Sequence, residues 1–225
     1  LIEAINQRGQ SRGFSPATTT ELAAQQRTME ALAGYNYVGL AVDIHGTVFP
    51  RSAEAVTSDY FNVLGIQPWL GTFFAGASSG NTPQPVVVVS HAFWQQELKA
   101  DRDAIGRSLK VAGIPLTIVG VSPPGFVGLQ PEQAPELFVP LGLMARLARS
   151  PAASSSTYLI GALRPDVSLA AAQANLAAVS TFADHEVILP PNKLKKAVQK
   201  VKQGAKIEFD PVARAGPNIP QGRPR

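Results

Sequence analysis

The residues best suited to catalysis or metal binding in this sequence are its three histidines, His45, His91 and His185. Each lies in a different segment, and none has a second histidine or carboxylate at the spacing that places two ligands on one helix face. The sequence also has no cysteine, which excludes both a disulfide and a thiolate zinc site. We therefore expect no metal and no cofactor.

A nucleophile with its base is the next chemistry to consider. Ser90 and His91 are adjacent, but neighbouring side chains at a strand-to-helix junction point in different directions, so they do not form such a pair. Ser90 is better explained as a helix cap. The sequence has no P-loop and no dinucleotide-binding G-x-G-x-x-G. Paired carboxylates fall in predicted surface loops, where solvation explains them: Asp101 with Asp103, and Glu132 with Glu136. We do not expect an enzyme.

The positive charge is concentrated at one end of the chain. The net charge is +4, but residues 193–225 carry nine Lys and Arg against two acids, which leaves −3 on the rest. A nucleic-acid surface needs basic residues spread over a face with base-reading groups, so we expect no nucleic-acid partner. A predicted basic helix at about 193–202 is either a solvated helix face or a surface for anionic groups such as lipid head groups.

The first elements predicted along the chain are a helix and a hairpin. Thr18 and Glu21 form a capping box, and Leu22, Met29 and Leu32 give an apolar stripe. This predicts a helix that stops at Gly34, after an irregular N-terminal stretch. From Tyr37 to Ile44, alternation predicts a half-buried strand with a returning partner over residues 47–56.

Further elements follow from caps, alternation and apolar runs. Ser58 and Gly65 are the predicted ends of a short helix, and the valine run 86–89 is typical of a strand buried on both faces. Three further helices are predicted: one capped by Ser90, one over 141–149, and one capped by Ser168 with Leu169 on its buried stripe. The predicted strands are a hairpin over 107–121 and single strands at 137–139, 158–163 and 206–210. A loop is predicted at 152–156.

Aromatic residues are the remaining candidates for a binding site. Trp69 and Trp94 are flanked by apolar residues, which favours core positions over a ligand pocket. Phe126 follows a rigid Pro-Pro-Gly elbow and precedes Leu129. It is either a lid over the core or a contact for another protein, so Phe126 and Leu129 are candidate partner-contact residues.

Several motifs in order resemble one family. They are Val56–Ile66 with Leu70–Phe74, then Val86–Ser90 with Phe93-Trp94, Ile105–Leu109, Thr117–Phe126 and Leu163–Leu169. Together they resemble the MacB-like periplasmic core domain of ABC-transporter permeases, especially the long MacB/FtsX-like permeases of acidobacteria-type genomes. Thr72 stands where the family usually has Arg, and Asp166 where Gly is common. The resemblance covers residues 15–183.

The resemblance implies a fold of the α+β class with two mixed α/β subdomains. A porter-like subdomain would be formed by both chain ends, residues 15–56 and 151–212. A smaller inserted α/β subdomain would span 57–150. Residues 213–225 would be a loose tail leading to a membrane span, and since the sequence starts without an initiator Met, we expect it to be a piece of a longer protein.

The implied function is mechanical and non-catalytic. Such a domain lies on the periplasmic side of the bacterial inner membrane and transmits ATP-driven motion to substrate export or to a periplasmic partner. The implied partners are the protein's own transmembrane helices, a second permease copy, a nucleotide-binding ATPase domain and a periplasmic adaptor protein. The alternative is a ligand-sensing module that binds a small molecule or peptide between the two subdomains.

Overall fold

A computed structural model of the 225-residue chain describes residues 3–6, 11–74, 84–129, 133–148, 157–179 and 185–188. The strands in this part are β1 (Glu3–Asn6), β2 (Ser11–Arg12), β3 (Met29–Ile44), β4 (Thr47–Val56), β5 (Leu70–Gly71), β6 (Val86–Val89), β7 (Ser108–Val111), β8 (Ile114–Val121), β9 (Leu137–Pro140), β10 (Tyr158–Leu163) and β11 (His185–Ile188). The α-helices are α1 (Pro16–Gln25), α2 (Tyr60–Leu64), α3 (His91–Gln96), α4 (Met144–Leu147) and α5 (Leu169–Val179). The fold is a mixture of helices and mixed sheet, as the sequence predicts.

Two sheets organise the described residues. A small antiparallel sheet has the order β11-β1-β2. The large sheet has the order β10-β3-β4-β9-β6-β8-β5, and β7 pairs with both β3 and β8. The strands β3, β4, β9, β6, β8 and β7 therefore form a closed circuit of hydrogen-bonded neighbours, which we call the six-strand ring.

Every strand of this ring contributes buried side chains to one cluster, which we call the ring core. Because side chains alternate along a strand, Ala53 and Ala55 of β4 and Val87 and Val89 of β6 face it. Phe93 of α3 and the buried side chains of α4 belong to the same cluster. The ring is thus filled by apolar side chains.

The opposite faces of four ring strands, β3, β4, β6 and β9, contribute to a second buried cluster, which we call the aromatic face. Its large members come from β3, α2, β9 and the loops after β5 and β8; they are Tyr35, Tyr60, Phe61, Phe74, Phe126 and Phe138. A third cluster joins α1 and α5 to the start of β3 and to β10, through Leu22, Leu176 and Leu159. The central part of the large sheet is therefore buried on both faces, whereas alternate residues of β7 and the tip of the β3–β4 hairpin are exposed.

The predicted helix ending at Gly34 is wrong in both its start and its length. Ser15 caps α1, and its Oγ accepts a hydrogen bond from the Thr18 backbone N at 3.2 Å. The helix ends at Gln25, and β3 already begins at Met29, because Met29 pairs with β10. Gly34 lies inside β3, where a Cβ would come within 2.8 Å of Thr157 Cγ2. Pairing with a distant strand overrides the local helical pattern.

Four smaller predictions also differ from the structure. The first residues are not irregular throughout, because β1 pairs with β2 and β11. Asp59 rather than Ser58 precedes α2, with no side-chain cap. Leu169 is exposed instead of lying on the buried stripe of α5, and the predicted helix from residue 141 is a 3₁₀ turn followed by α4.

Other predictions agree with the structure. The return strand 47–56, the buried valine strand and the hairpin of β7 and β8 are all present. Ser90 and Ser168 cap their helices, and Gly65 ends α2 with a positive φ of 66°.

The structure does not test three of the predicted elements. The loop at 152–156, the basic helix at 193–202 and the strand at 206–210 lie outside the described residues. The large sheet contains strands from both predicted subdomains, 15–56 and 57–150, and the division itself stays a prediction. None of the helices in the described ranges is long and apolar enough to cross a membrane.

Candidate functional site

The most unusual side chain of the described fold is Glu54, a carboxyl buried in the aromatic face. It lies in the middle of the run Ala53–Val56 of β4, all buried, and its own exposure is 0%. In the strand register it stands between Tyr37 of β3 and Phe138 of β9. A strand with neighbours on both sides and clusters on both faces leaves this carboxyl no path to water.

Tyrosine hydroxyls contact the buried carboxyl. The Tyr60 hydroxyl lies 3.0 Å from both Oε1 and Oε2 of Glu54. Burial raises the pKa of Glu54 from 4.5 to about 8, and the hydroxyls of Tyr60 and Tyr37 lower it only in part. Burial and the neighbouring carboxyl raise the pKa of Tyr60 well above its ordinary value. At neutral pH Glu54 is therefore protonated and uncharged.

The segment after β8 covers this carboxyl. We call residues 123–129 the elbow loop. Gly125 and Gly128 both have positive φ, 76° and 68°. A Cβ on Gly128 would lie 2.5 Å from Glu54 Oε2 and 3.2 Å from the Pro135 ring, so only glycine allows the loop to approach this closely.

The two predicted partner-contact residues both lie in the elbow loop. Phe126 is only 5% exposed, and its ring stacks on Phe138 at a centroid distance of 5.5 Å. Leu129 is half-buried and packs against the same aromatic face. This position matches the lid alternative for Phe126, and contact with a partner stays a prediction for both residues.

The tip of the hairpin between β3 and β4 carries the exposed apolar side chains that sequence reasoning missed. Val48 is 62% exposed and Phe49 is 41% exposed. Behind them Arg51 forms salt bridges with Glu97 at 2.5 Å and Glu136 at 3.0 Å. Arg51 therefore ties β4 to the end of α3 and to the start of β9.

Only one of the two tryptophans occupies its predicted core position. Trp94 is buried in the ring core as predicted, and its Nε1 donates to the Asp101 backbone oxygen at 2.8 Å. Trp69 is 56% exposed, so its predicted core position is wrong. Its ring packs edge-on against His91, with a centroid distance of 5.5 Å.

The candidate catalytic residues are not brought together. The Ser90 hydroxyl accepts from the Phe93 backbone N at 3.1 Å, which is the capping role that the sequence predicts. Burial lowers the pKa of the adjacent His91. Asp101 accepts from the Asp103 backbone N and pairs with Arg107 at 2.7 Å, whereas Glu132 lies outside the described residues. Within the described ranges no group of three His, Asp or Glu side chains could hold a metal ion.

One short pattern escaped the sequence interpretation. Residues 76–80 spell G-x-S-x-G, the pattern of the serine-hydrolase elbow, and they lie outside the described part. Five residues alone carry no assignment. Glu54 was also missed, although the alternation of β4 places it on a face shared with Val56, where a charged residue is out of place.

The fold of this chain is similar to that of solved structures. The periplasmic region of MacB from Actinobacillus actinomycetemcomitans aligns over 92% of this chain and 92% of its own, with a TM-score of 0.63 and 13% identity. The extracellular domain of the noncanonic ABC-type transporter YknZ from Gram-positive bacteria aligns over 84% of this chain and 98% of its own, with a TM-score of 0.61 and 13% identity. A comparison with curated protein sequences found no match. The fold is therefore that of extracytoplasmic domains of ABC-type transporters.

The sequence gives the family. The sequence model of the MacB-like periplasmic core domain matches residues 2–179, so the chain belongs to the MacB-like periplasmic core domain family, and the resemblance seen in its motifs is confirmed. The chain is thus a periplasmic domain of a MacB-like ABC-transporter permease, on the outer side of the bacterial inner membrane. Members of this family work in transporters that also have membrane-spanning and ATPase parts.

Proposed function

We propose that this domain is a stiff, non-catalytic element that transmits ATP-driven motion from the membrane helices to substrate export or to a periplasmic partner. The observation that carries the proposal is the closed six-strand ring with its filled core. A closed circuit of strands has no free seam along which it can shear. Close-packed interiors are poorly compressible, so a displacement applied at one side appears at the other with little loss.

The long hairpin of β3 and β4 supplies the connection through the domain. The first part of β3 pairs with β10 beside the helices α1 and α5, and its last part pairs with β7 in the ring. The hairpin partner β4 pairs with β9 over Ala53–Val56. One continuous pair of strands therefore links the region formed by both chain ends to the ring. The division into a porter-like subdomain (15–56 and 151–212) and an inserted subdomain (57–150) is part of this proposal.

The proposed partners are the protein's own transmembrane helices, a second permease copy, the ATPase domain and a periplasmic adaptor protein. Contact of Phe126 or Leu129 with such a partner belongs to this proposal. Because Phe126 is packed on Phe138, its ring meets a partner only after the elbow loop leaves the aromatic face.

Distance measurements in the intact permease test this function. The chain has no cysteine, so spin labels can be placed at Thr47→Cys on the hairpin tip and Gln95→Cys on α3, both exposed. On ATP binding we expect the distance between the labels at position 47 of two permease copies to change. The distance between the labels at positions 47 and 95 within one copy should stay constant. A change within the copy and none between copies would contradict transmission by a rigid domain and favour the ligand-sensing alternative.

A further inference from the structure

Glu54 and the elbow loop form a contact that no transport role explains. The loop bends at two glycines of positive φ and places Phe126 on the aromatic face and Gly128 against the Glu54 carboxyl. The Phe126 backbone N donates to the Pro123 oxygen at 3.2 Å, which closes the turn. The loop therefore seals an ionisable group from water.

We propose that the elbow loop is a lid that closes over Glu54 while this carboxyl is protonated and opens when it ionises. Opening would uncover Phe126 and the aromatic face beneath it. The inference concerns a conformational device within the domain and does not depend on the transport role.

The side chains around Glu54 determine whether ionisation of this carboxyl opens or closes the lid. The titratable groups that face it are tyrosines: Tyr60 from α2, and Tyr37 with its neighbour Tyr35 from β3. Phe138 of β9 is its strand neighbour and Gly128 of the elbow loop lies against its Oε2, and neither residue titrates. Within the described residues, no basic side chain contributes to the pKa of Glu54. The Tyr60 and Tyr37 hydroxyls offset the burial of an ionised Glu54 only in part, so full solvation of the carboxylate needs water, which requires the loop to move.

The difference between the pKa of Glu54 in the closed and open forms sets how strongly the open population depends on pH. With the lid closed the pKa of Glu54 is about 8, and with the lid open it approaches the ordinary 4.5. Between these two values the open form binds about one proton fewer than the closed form, so the open population rises about tenfold for each pH unit. The open population is therefore expected to rise with pH around neutrality and to level off above pH 8.

Amide hydrogen exchange read by NMR, on the 225-residue chain, tests the proposal. The reporter is the Phe126 amide of the elbow loop, and the reference is the Ile118 amide of the ring, which donates to the Arg107 oxygen at 2.9 Å. Intrinsic exchange accelerates about tenfold per pH unit, and lid opening multiplies it. From pH 5.5 to 7.5 we expect the Phe126 rate to rise about a hundredfold per pH unit in the wild type and about tenfold in Glu54→Gln.

Two outcomes would overturn the proposal. If the Phe126 rate rises tenfold per pH unit in both proteins, Glu54 does not control the loop. If Phe126 and Ile118 exchange at the same rate, the loop opens only when the whole domain unfolds. Should Glu54→Gln fail to fold, Tyr60→Phe is the second variant. It keeps the carboxyl and removes its hydroxyl partner, and we expect the hundredfold dependence to remain; a tenfold dependence in Tyr60→Phe would also count against the lid.

Discussion

The two faces of the ring strands are built by neighbouring residues and respond differently to their surroundings. Ala53 and Leu137 face the ring core, whereas Glu54 and Phe138 face the aromatic face. The ring core is an apolar cluster, so its contribution to the free energy of unfolding does not depend on the ionisation of a side chain within it. The aromatic face encloses a carboxyl that must stay neutral. One set of strands thus borders an apolar cluster on one side and a cluster with a buried carboxyl on the other.

The largest effect is expected from placing a charge in the aromatic face. Phe126→Asp removes a buried ring and leaves a carboxylate beside Phe138, which should lower the free energy of unfolding by about 4 kcal/mol. Denaturant unfolding measures it. The control is Phe49→Asp at the exposed hairpin tip, for which we expect less than about 1 kcal/mol. A nearly unchanged melt of Phe126→Asp would place this residue in a partner contact outside the core.

A cavity in the ring core should cost about the same at every pH. Leu137→Ala removes a fully buried side chain and should lower the free energy of unfolding by about 3 kcal/mol. Measured at pH 6 and at pH 8, the loss relative to wild type should agree within experimental error. A loss that depends on pH would show that the two faces are not independent.

Stability of the wild type should fall as pH rises from 5 to 8. The folded-state pKa of Glu54 is about 8 and its ordinary value is 4.5, so the contribution of this group is complete below pH 4.5 and is lost as pH rises through 8. Between pH 5.5 and 7.5 the loss should be about 3 kcal/mol in the unfolding free energy. Glu54→Gln should remove this slope. An equal slope in both proteins would assign the dependence to other groups.

The smallest expected effect distinguishes the close contact of Gly128 with Glu54 from the cost of a positive φ alone in the elbow loop. Gly128→Ala adds a Cβ against Glu54 Oε2 at a positive φ, and it should cost about 2–3 kcal/mol. Gly125→Ala also has positive φ but meets no atom within 4 Å, so it should cost only about 1 kcal/mol. Equal costs in thermal or denaturant unfolding would mean that Gly128 does not press on Glu54.

Sequence patterns predicted the elements whose signals are local. The return strand of the hairpin, the valine strand and the Ser90 cap follow from alternation, β-branching and capping within a few residues. The start of β3 could not be predicted in the same way. Met29 and Leu32 fit a helical stripe, and only pairing with β10, more than a hundred residues away, makes them part of a strand.

The candidate site was only half visible in the sequence. The Pro-Pro-Gly elbow identified Phe126 and offered a lid as one of two roles. Glu54 gave a weaker signal, because one carboxylate in an alternating strand is usually solvated. Its burial depends on β9 and the elbow loop arriving from distant parts of the chain, which no local pattern encodes.

Locking the ring tests most directly whether it moves as one closed unit. Asp43 of β3 and Lys110 of β7 are directly paired at the strand contact that completes the circuit. A disulfide between Asp43→Cys and Lys110→Cys spans a distance that cross-strand pairs permit. In the intact permease, we expect the oxidised protein to retain the ATPase activity and the ATP-dependent distance change between copies of its reduced form. Loss of both on oxidation, restored by reduction, would show that the ring must open and would contradict transmission by a closed ring.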